Sequence, residues 1–154
     1  MELSDSLKDK TIKARIVADC VTLIDEQVAA KSGLSGMGMK AAYGAVKGVK
    51  PGYISVAIAR LLPDTLAALD PMWSEGIQTG NPVNHLIQNR SRTADMILSV
   101  TDARIQKSGN GIVRSSYNKF RKSVKGDIEN AVPGLAQIIG NHAKAPQETP
   151  SLEG

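Results

Sequence analysis

The side chains able to do chemistry in this chain are few, and their spacing is uninformative. The histidines are His85 and His142. Neither stands in a His-Glu-x-x-His or Glu-x-x-His pattern, the spacings by which one helix presents metal ligands. Cys20 is the only cysteine. It has no basic residue one helical turn away to lower its pKa, so it reads as a small buried hydrophobe. Asp19 and Glu26 lie seven apart, as do Asp95 and Asp102. That spacing returns to one helix face, where two carboxylates, or Arg90 nearby, could line a ligand pocket or an active site. With no histidine or third carboxylate beside them, they read as surface or salt-bridging acids. Arg92 stands three residues before Asp95, an ion pair worth a few tenths of a kcal/mol, roughly 0.2–0.5. No Gly-x-Ser-x-Gly occurs. The chain is expected to be non-enzymatic, with no cofactor and no metal.

Glycines offer two false leads and one better one. Gly36-x-Gly38-x-x-Ala41 fits a loose dinucleotide fingerprint, but a helical pattern precedes it where a strand is required. Gly33 and Gly38 have the gap of a phosphate loop, yet Lys40 falls one residue late and no Ser or Thr follows it. Gly44, Gly48 and Gly52 repeat every four residues. A mid-helix glycine costs up to about 1 kcal/mol relative to alanine, so the repeat implies close approach of another helix. These three are the candidate close-packing or oligomer face, the neighbour being in the same chain or in a second subunit.

Charge is unevenly spread. The net charge is +4, and no acid stands between Glu26 and Asp64, where Lys31, Lys40, Lys47, Lys50 and Arg60 lie. Between Asp102 and Asp127 the charged residues are Arg104, Lys107, Arg114, Lys119, Arg121, Lys122 and Lys125. These seven are the candidate anion or partner surface. In helical phase Arg114, Lys122 and Lys125 share one face, and Tyr117, Phe120 and Val124 another. The rings belong to the core side, which leaves phosphate contact without base stacking. The alternative is a solvated helix face, or the basic half of a self-complementary surface.

The elements that must position these residues are helical. Of 154 residues, 42% are hydrophobic and only 3% aromatic. That excludes a disordered chain, and the lone cysteine excludes a disulfide scaffold. Ile12, Ile16, Cys20, Ile24 and Val28 form one helix face, stopped at Gly33. Ser35 caps a second helix to about Val49. A third runs from Tyr53 to Leu62, where Pro63-Asp64 interrupts it. Asp70-Pro71 and Asn81-Pro82 each read as a cap followed by proline at the first helical position. The stripe from Val83 to Ile105 is divided at Asn89–Arg92, and Ser108–Gly111 is a clear break. Pro133-Gly134 breaks the following helix before a short last one. No period-two alternation is evident. The expected fold is all-α, a single domain (1–144) of about six to eight helices, with a disordered tail at 145–154. The first ten residues have no apolar core. The longest apolar run is broken by Arg60, Pro63 and Asp64, which makes a soluble cytoplasmic protein with no membrane span the expectation.

The chain resembles a bacterial family known as a domain of unknown function. The resemblance rests on Val17-Ala-Asp-Cys20, Leu23-Ile-Asp25, Lys31-Ser-Gly-Leu-Ser-Gly36 and Lys40-Ala-Ala-Tyr43. It continues through Val49-Lys-Pro-Gly52, Leu61-Leu-Pro63, Ala68-Leu-Asp-Pro71, Val100-Thr-Asp-Ala-Arg104 and Ala131-Val-Pro133. It implies a small helical cytosolic protein and carries no activity, ligand or site residue. Three functions stay open from the residues: self-association or a protein partner, binding of nucleic acid or another polyanion, and a small-ligand pocket.

Overall fold

The computed structural model describes residues 3–143, so the tail expected at 145–154 lies outside the described residues. A short 3-10 helix, Leu3–Lys8, leads into α1 (Lys10–Ala30), α2 (Gly33–Lys47), α3 (Tyr53–Thr79), α4 (Pro82–Gln88), α5 (Arg90–Gln106) and α6 (Gly111–Ala143). Among the described residues there is no strand. The all-α expectation holds.

Local chemistry sets several boundaries. The Asp9 carboxylate accepts from the amides of Thr11 (2.8 Å) and Ile12 (3.2 Å) and starts α1, a cap worth about 1 kcal/mol. Asn81 caps α4 by accepting from the Asn84 amide, with Pro82 at the first turn, as its sequence implies. The Asn110 side chain accepts from Ile112 and Val113 and starts α6 after the expected break. Helix α2 begins at Gly33, ahead of the Ser35 cap. The turn before it is tight: a Cβ on Gly36 would lie 2.7 Å from the Lys31 carbonyl carbon.

Three prolines do not break helices as expected. Pro63 and Pro71 lie inside α3, and Pro133 lies inside α6. Each removes a hydrogen bond to the carbonyl four residues back and costs the helix about 3 kcal/mol. Burial outweighs that cost. The α3 stripe of Ile58, Leu62, Leu66, Leu69, Met72, Trp73 and Gly76 is buried without interruption, and both α3 prolines sit on the exposed side. Across Pro133, Val132, Ala136 and Ile139 form one buried stripe. Asp70 is no cap either: its carboxylate accepts from the Leu3 amide at 3.0 Å and pins the 3-10 helix to α3. Pro63→Ala restores a donor on a solvated face. It loses up to about 1 kcal/mol of unfolded-state rigidity against roughly 3 kcal/mol of helix gain, so urea unfolding should show it more stable by about 2 kcal/mol.

The core lies where α3 crosses α1, α4 and α6. Leu66, Leu69, Met72, Trp73, Leu86, Ala136 and Ile139 form its centre, with Ile16 and Cys20 from α1. The buried Thr93 hydroxyl is within hydrogen-bonding distance of the carbonyls of Asn89 (2.9 Å) and Leu86 (3.1 Å), locking the α4–α5 corner. Helix α2 is peripheral: it lies against α1, α3 and α6 on one side only, and contributes no residue to the buried core.

Candidate functional sites

The reactive side chains are absorbed by packing. Burial raises the Cys20 thiol to about 11, with the Asp19 charge adding to it. Both histidine side chains are half-buried and engaged. His142 Nε2 lies 2.8 Å from the Asp19 carboxylate on α1, and His85 Nε2 lies 3.0 Å from Glu75 on α3. Arg92 turns away from Asp95 and grips Glu75 with both terminal nitrogens, at 2.9 and 3.1 Å. Among the described residues no group of three or more His, Cys, Asp or Glu could hold a metal ion.

Glu75 is held down at about 2, first by the Arg92 hydrogen bonds and then by His85. Asp102 is also lowered, chiefly by Arg121. Depressed carboxylates stabilise the fold above their ordinary range, and that stability is lost as pH falls through the folded value. The melting temperature should therefore fall as pH drops from 4.5 toward 2, and Glu75→Gln should make that fall shallower.

The basic strip is divided. Asp102 on α5 accepts from Arg121 (2.9 and 2.8 Å) and from the Tyr117 hydroxyl (2.6 Å) on α6. Asp95 takes Lys125 at 3.0 Å. Arg121 and Lys125 thus tie α5 to α6. Arg114 is bonded to the Ser108 carbonyl, and Lys119 lies 5.5 Å over the Phe120 ring. Lys122 is exposed. Arg104 and Lys107 stand apart at the end of α5, where the fold brings them to Lys50 and Arg60. Those last two belong to the acid-free run before Asp64, which sequence reading left out of the site.

Among the described residues no helix lies against Gly44: a Cβ there would meet nothing within 4 Å. Gly48 is the C-cap of α2, and Gly52 precedes α3 with φ of 71°. The close approaches are instead at Gly76, Gly134 and Gly140. What Gly44 and Gly48 share is an outward face. Leu34 (87% exposed) and Met37 (68%) begin it, and Ala41, Gly44 and Gly48 continue it, all exposed. Steps of three, four, three and four residues make this an unbroken ridge of apolar and small side chains. Leu34 and Met37 were in plain view in the glycine segment, but their exposure was not.

The inner side of α2 borders a cleft of about 200 Å³ lined by Met39, Tyr43, Val46, Tyr117, Phe120 and Val124, among others. The Tyr43 hydroxyl donates to Asp25 at 2.6 Å, and that of Tyr117 to Asp102 at 2.6 Å. Burial and these carboxylates raise both phenols above their ordinary range. Their polar ends are engaged, so the rings give the cleft apolar walls. Ile105 and Val113 border both this cleft and a second cavity, also about 200 Å³, which Lys50, Arg60, Arg104 and Lys107 line as well.

Comparison with curated proteins and with solved structures finds no match. A family model does match, over residues 3–143, which is every residue whose structure is described. The chain belongs to DUF6918, a family of unknown function.

Proposed function

We propose that the protein acts by association, pairing with a second copy of itself through the outer face of α2. The observation that carries this reading is the exposure of Leu34 and Met37, at 87% and 68%, on a helix whose far end is Gly44 and Gly48. A two-fold interface must be self-complementary. An antiparallel α2 pair, with its axis near Ala41, is so: the large residues at one end of each helix face the glycines at the other end of its mate. Small residues let the two backbones approach closely. Water leaves the Leu34 and Met37 side chains on pairing, and each such burial is worth about 1.5–3 kcal/mol when complete.

Charge sets the limits. Lys40 and Lys47 flank the ridge, and α2 contains no acid. Lys47 is compensated within its own chain, 3.8 Å from Asp25 and 5.2 Å over the Tyr43 ring. A single helix pair is smaller than the roughly 1,200–2,000 Å² of a stable complex, so affinity in the micromolar range is expected. Polyanion binding along 104–125 has less support, since Arg121 and Lys125 are held by carboxylates of α5.

Cross-linking tests the register. Ala41→Cys places a thiol beside the proposed axis, and Cys20 is buried and held protonated, so it does not compete. Mild oxidation at micromolar concentration should link Ala41→Cys into a dimer, with Lys122→Cys as the control on another face. Linking of Ala41→Cys no faster than of the control would count against the pairing.

A further inference from the structure

Some of the protein's cations are held by carboxylates and others are not. Lys31, Arg92, Arg121 and Lys125 each lie within 3.0 Å of a carboxylate, on Asp127, Glu75, Asp102 and Asp95. The side chains of Lys50, Arg60 and Lys107 have no hydrogen-bond or ion-pair partner among the described residues, and all three border one cavity with Arg104. Arg104 has only the Asp64 carboxylate, at 3.6 Å, and the Arg60 carbonyl, at 3.3 Å. Four cations around one cavity repel one another and focus a positive field into it. An anion bound there relieves that repulsion. The neighbouring cleft has the opposite chemistry: its two tyrosine hydroxyls are engaged by Asp25 and Asp102, and apart from Ser116 its other lining side chains, Met39, Val46 and Val124 among them, are apolar.

We propose that the two cavities together bind a single-chain amphiphilic anion, its aliphatic chain in the cleft between α2 and α6 and its phosphate head on Lys50, Arg60, Arg104 and Lys107. Ile105 and Val113 border both spaces, so one molecule can lie across them. Each cavity is smaller than the roughly 300–1,000 Å³ of a drug-sized site, which sets the ligand as a short chain with a compact head. A phosphate monoester suits the head better than a carboxylate, because its charge of about −1.5 to −2 and three free oxygens can engage several of the four cations at once. The cleft lies on the inner side of α2, so this site is independent of the outer face proposed for pairing.

The test is calorimetric titration of the full chain with hexyl and octyl phosphate below their micelle concentrations. Each buried methylene should tighten binding about fourfold, so octyl phosphate should bind roughly fifteenfold more tightly than hexyl phosphate. Octyl phosphate binding should also weaken as salt rises from about 0.05 to about 0.5 M. The double variant Arg60→Gln/Lys107→Gln alters two exposed side chains, and should lose at least about tenfold in affinity with an unchanged melting temperature. Four results would overturn the proposal. Octyl phosphate could bind no more tightly than inorganic phosphate. Octanol or octyltrimethylammonium could bind equally well. The double variant, if folded, could bind as the parent does. Vesicles of anionic lipid could retain the protein while monomeric octyl phosphate gives no heat, which would assign the cations to a lipid surface.

Discussion

Gly76→Ala is expected to destabilise the protein by about 3 kcal/mol, the upper part of the usual range for overpacking a filled core. Gly76 is buried where α3 turns into α4. A Cβ there would stand 2.4 Å from the Pro82 Cα and 2.9 Å from the His85 Cβ. The first of these is backbone. Pro82 cannot step back, because the Asn81 cap fixes the start of α4 and the Asn81 amide is bonded to the Gly76 carbonyl at 3.0 Å. Gly134 and Gly140 are also closely approached, but by the methyl groups of Leu23 and Val83, which are side-chain ends. Their replacement should cost less. Gly44→Ala has the opposite sign. Its Cβ meets nothing, and the helix gains about 0.5–1 kcal/mol from alanine. Urea midpoints of the two variants, at concentrations low enough to keep the chain monomeric, would move in opposite directions.

Met37→Glu is expected to weaken self-association at least about tenfold, since one lost or desolvated contact of about 1.4 kcal/mol per chain already has that effect. The same substitution should leave the fold intact. Met37 is 68% exposed, so its replacement removes little packing from the single chain. In the paired state it would bring a carboxylate against the Gly44 end of the partner helix, where Lys47 is already engaged by Asp25 and Tyr43 of its own chain, so the cost of taking that carboxylate from water is not repaid. The separation of the two effects matters. A variant that lost both stability and association would say only that α2 had come loose, and α2 is attached to the rest of the protein on one side alone.

Much of the fold could be read from local rules. The stripe Ile12, Ile16, Cys20 and Ile24, the Asn81-Pro82 cap, the division at Asn89 and the break at 107–110 all stand where their residue types put them. Pro63, Pro71 and Pro133 misled for a physical reason. A proline's cost is local and visible, whereas the buried stripe that outweighs it depends on helices far away in sequence. The glycines misled for the same reason. Their spacing at 44, 48 and 52 resembles a packing ridge, but only the tertiary fold decides which glycines a neighbouring helix approaches, and they are Gly76, Gly134 and Gly140. Charge was legible as composition and not as pairing. The run from Arg104 to Lys125 is free of acids in sequence, yet Asp95 and Asp102, one helix earlier, neutralise Lys125 and Arg121. The cationic pocket draws Lys50 and Arg60 from one stretch of chain and Arg104 and Lys107 from another. No pattern within either stretch joins them.

If the outer face of α2 is an interface between two copies of this chain, the protein's mass in solution depends on its concentration. Sedimentation equilibrium across the micromolar range, run on the parent protein and on Met37→Glu side by side, tests it most directly. The parent should shift from 16.3 kDa toward twice that mass as concentration rises, while the folded variant stays at the monomer mass over the same range. A parent that stays monomeric throughout, or a variant that dimerises as readily as the parent, would contradict it.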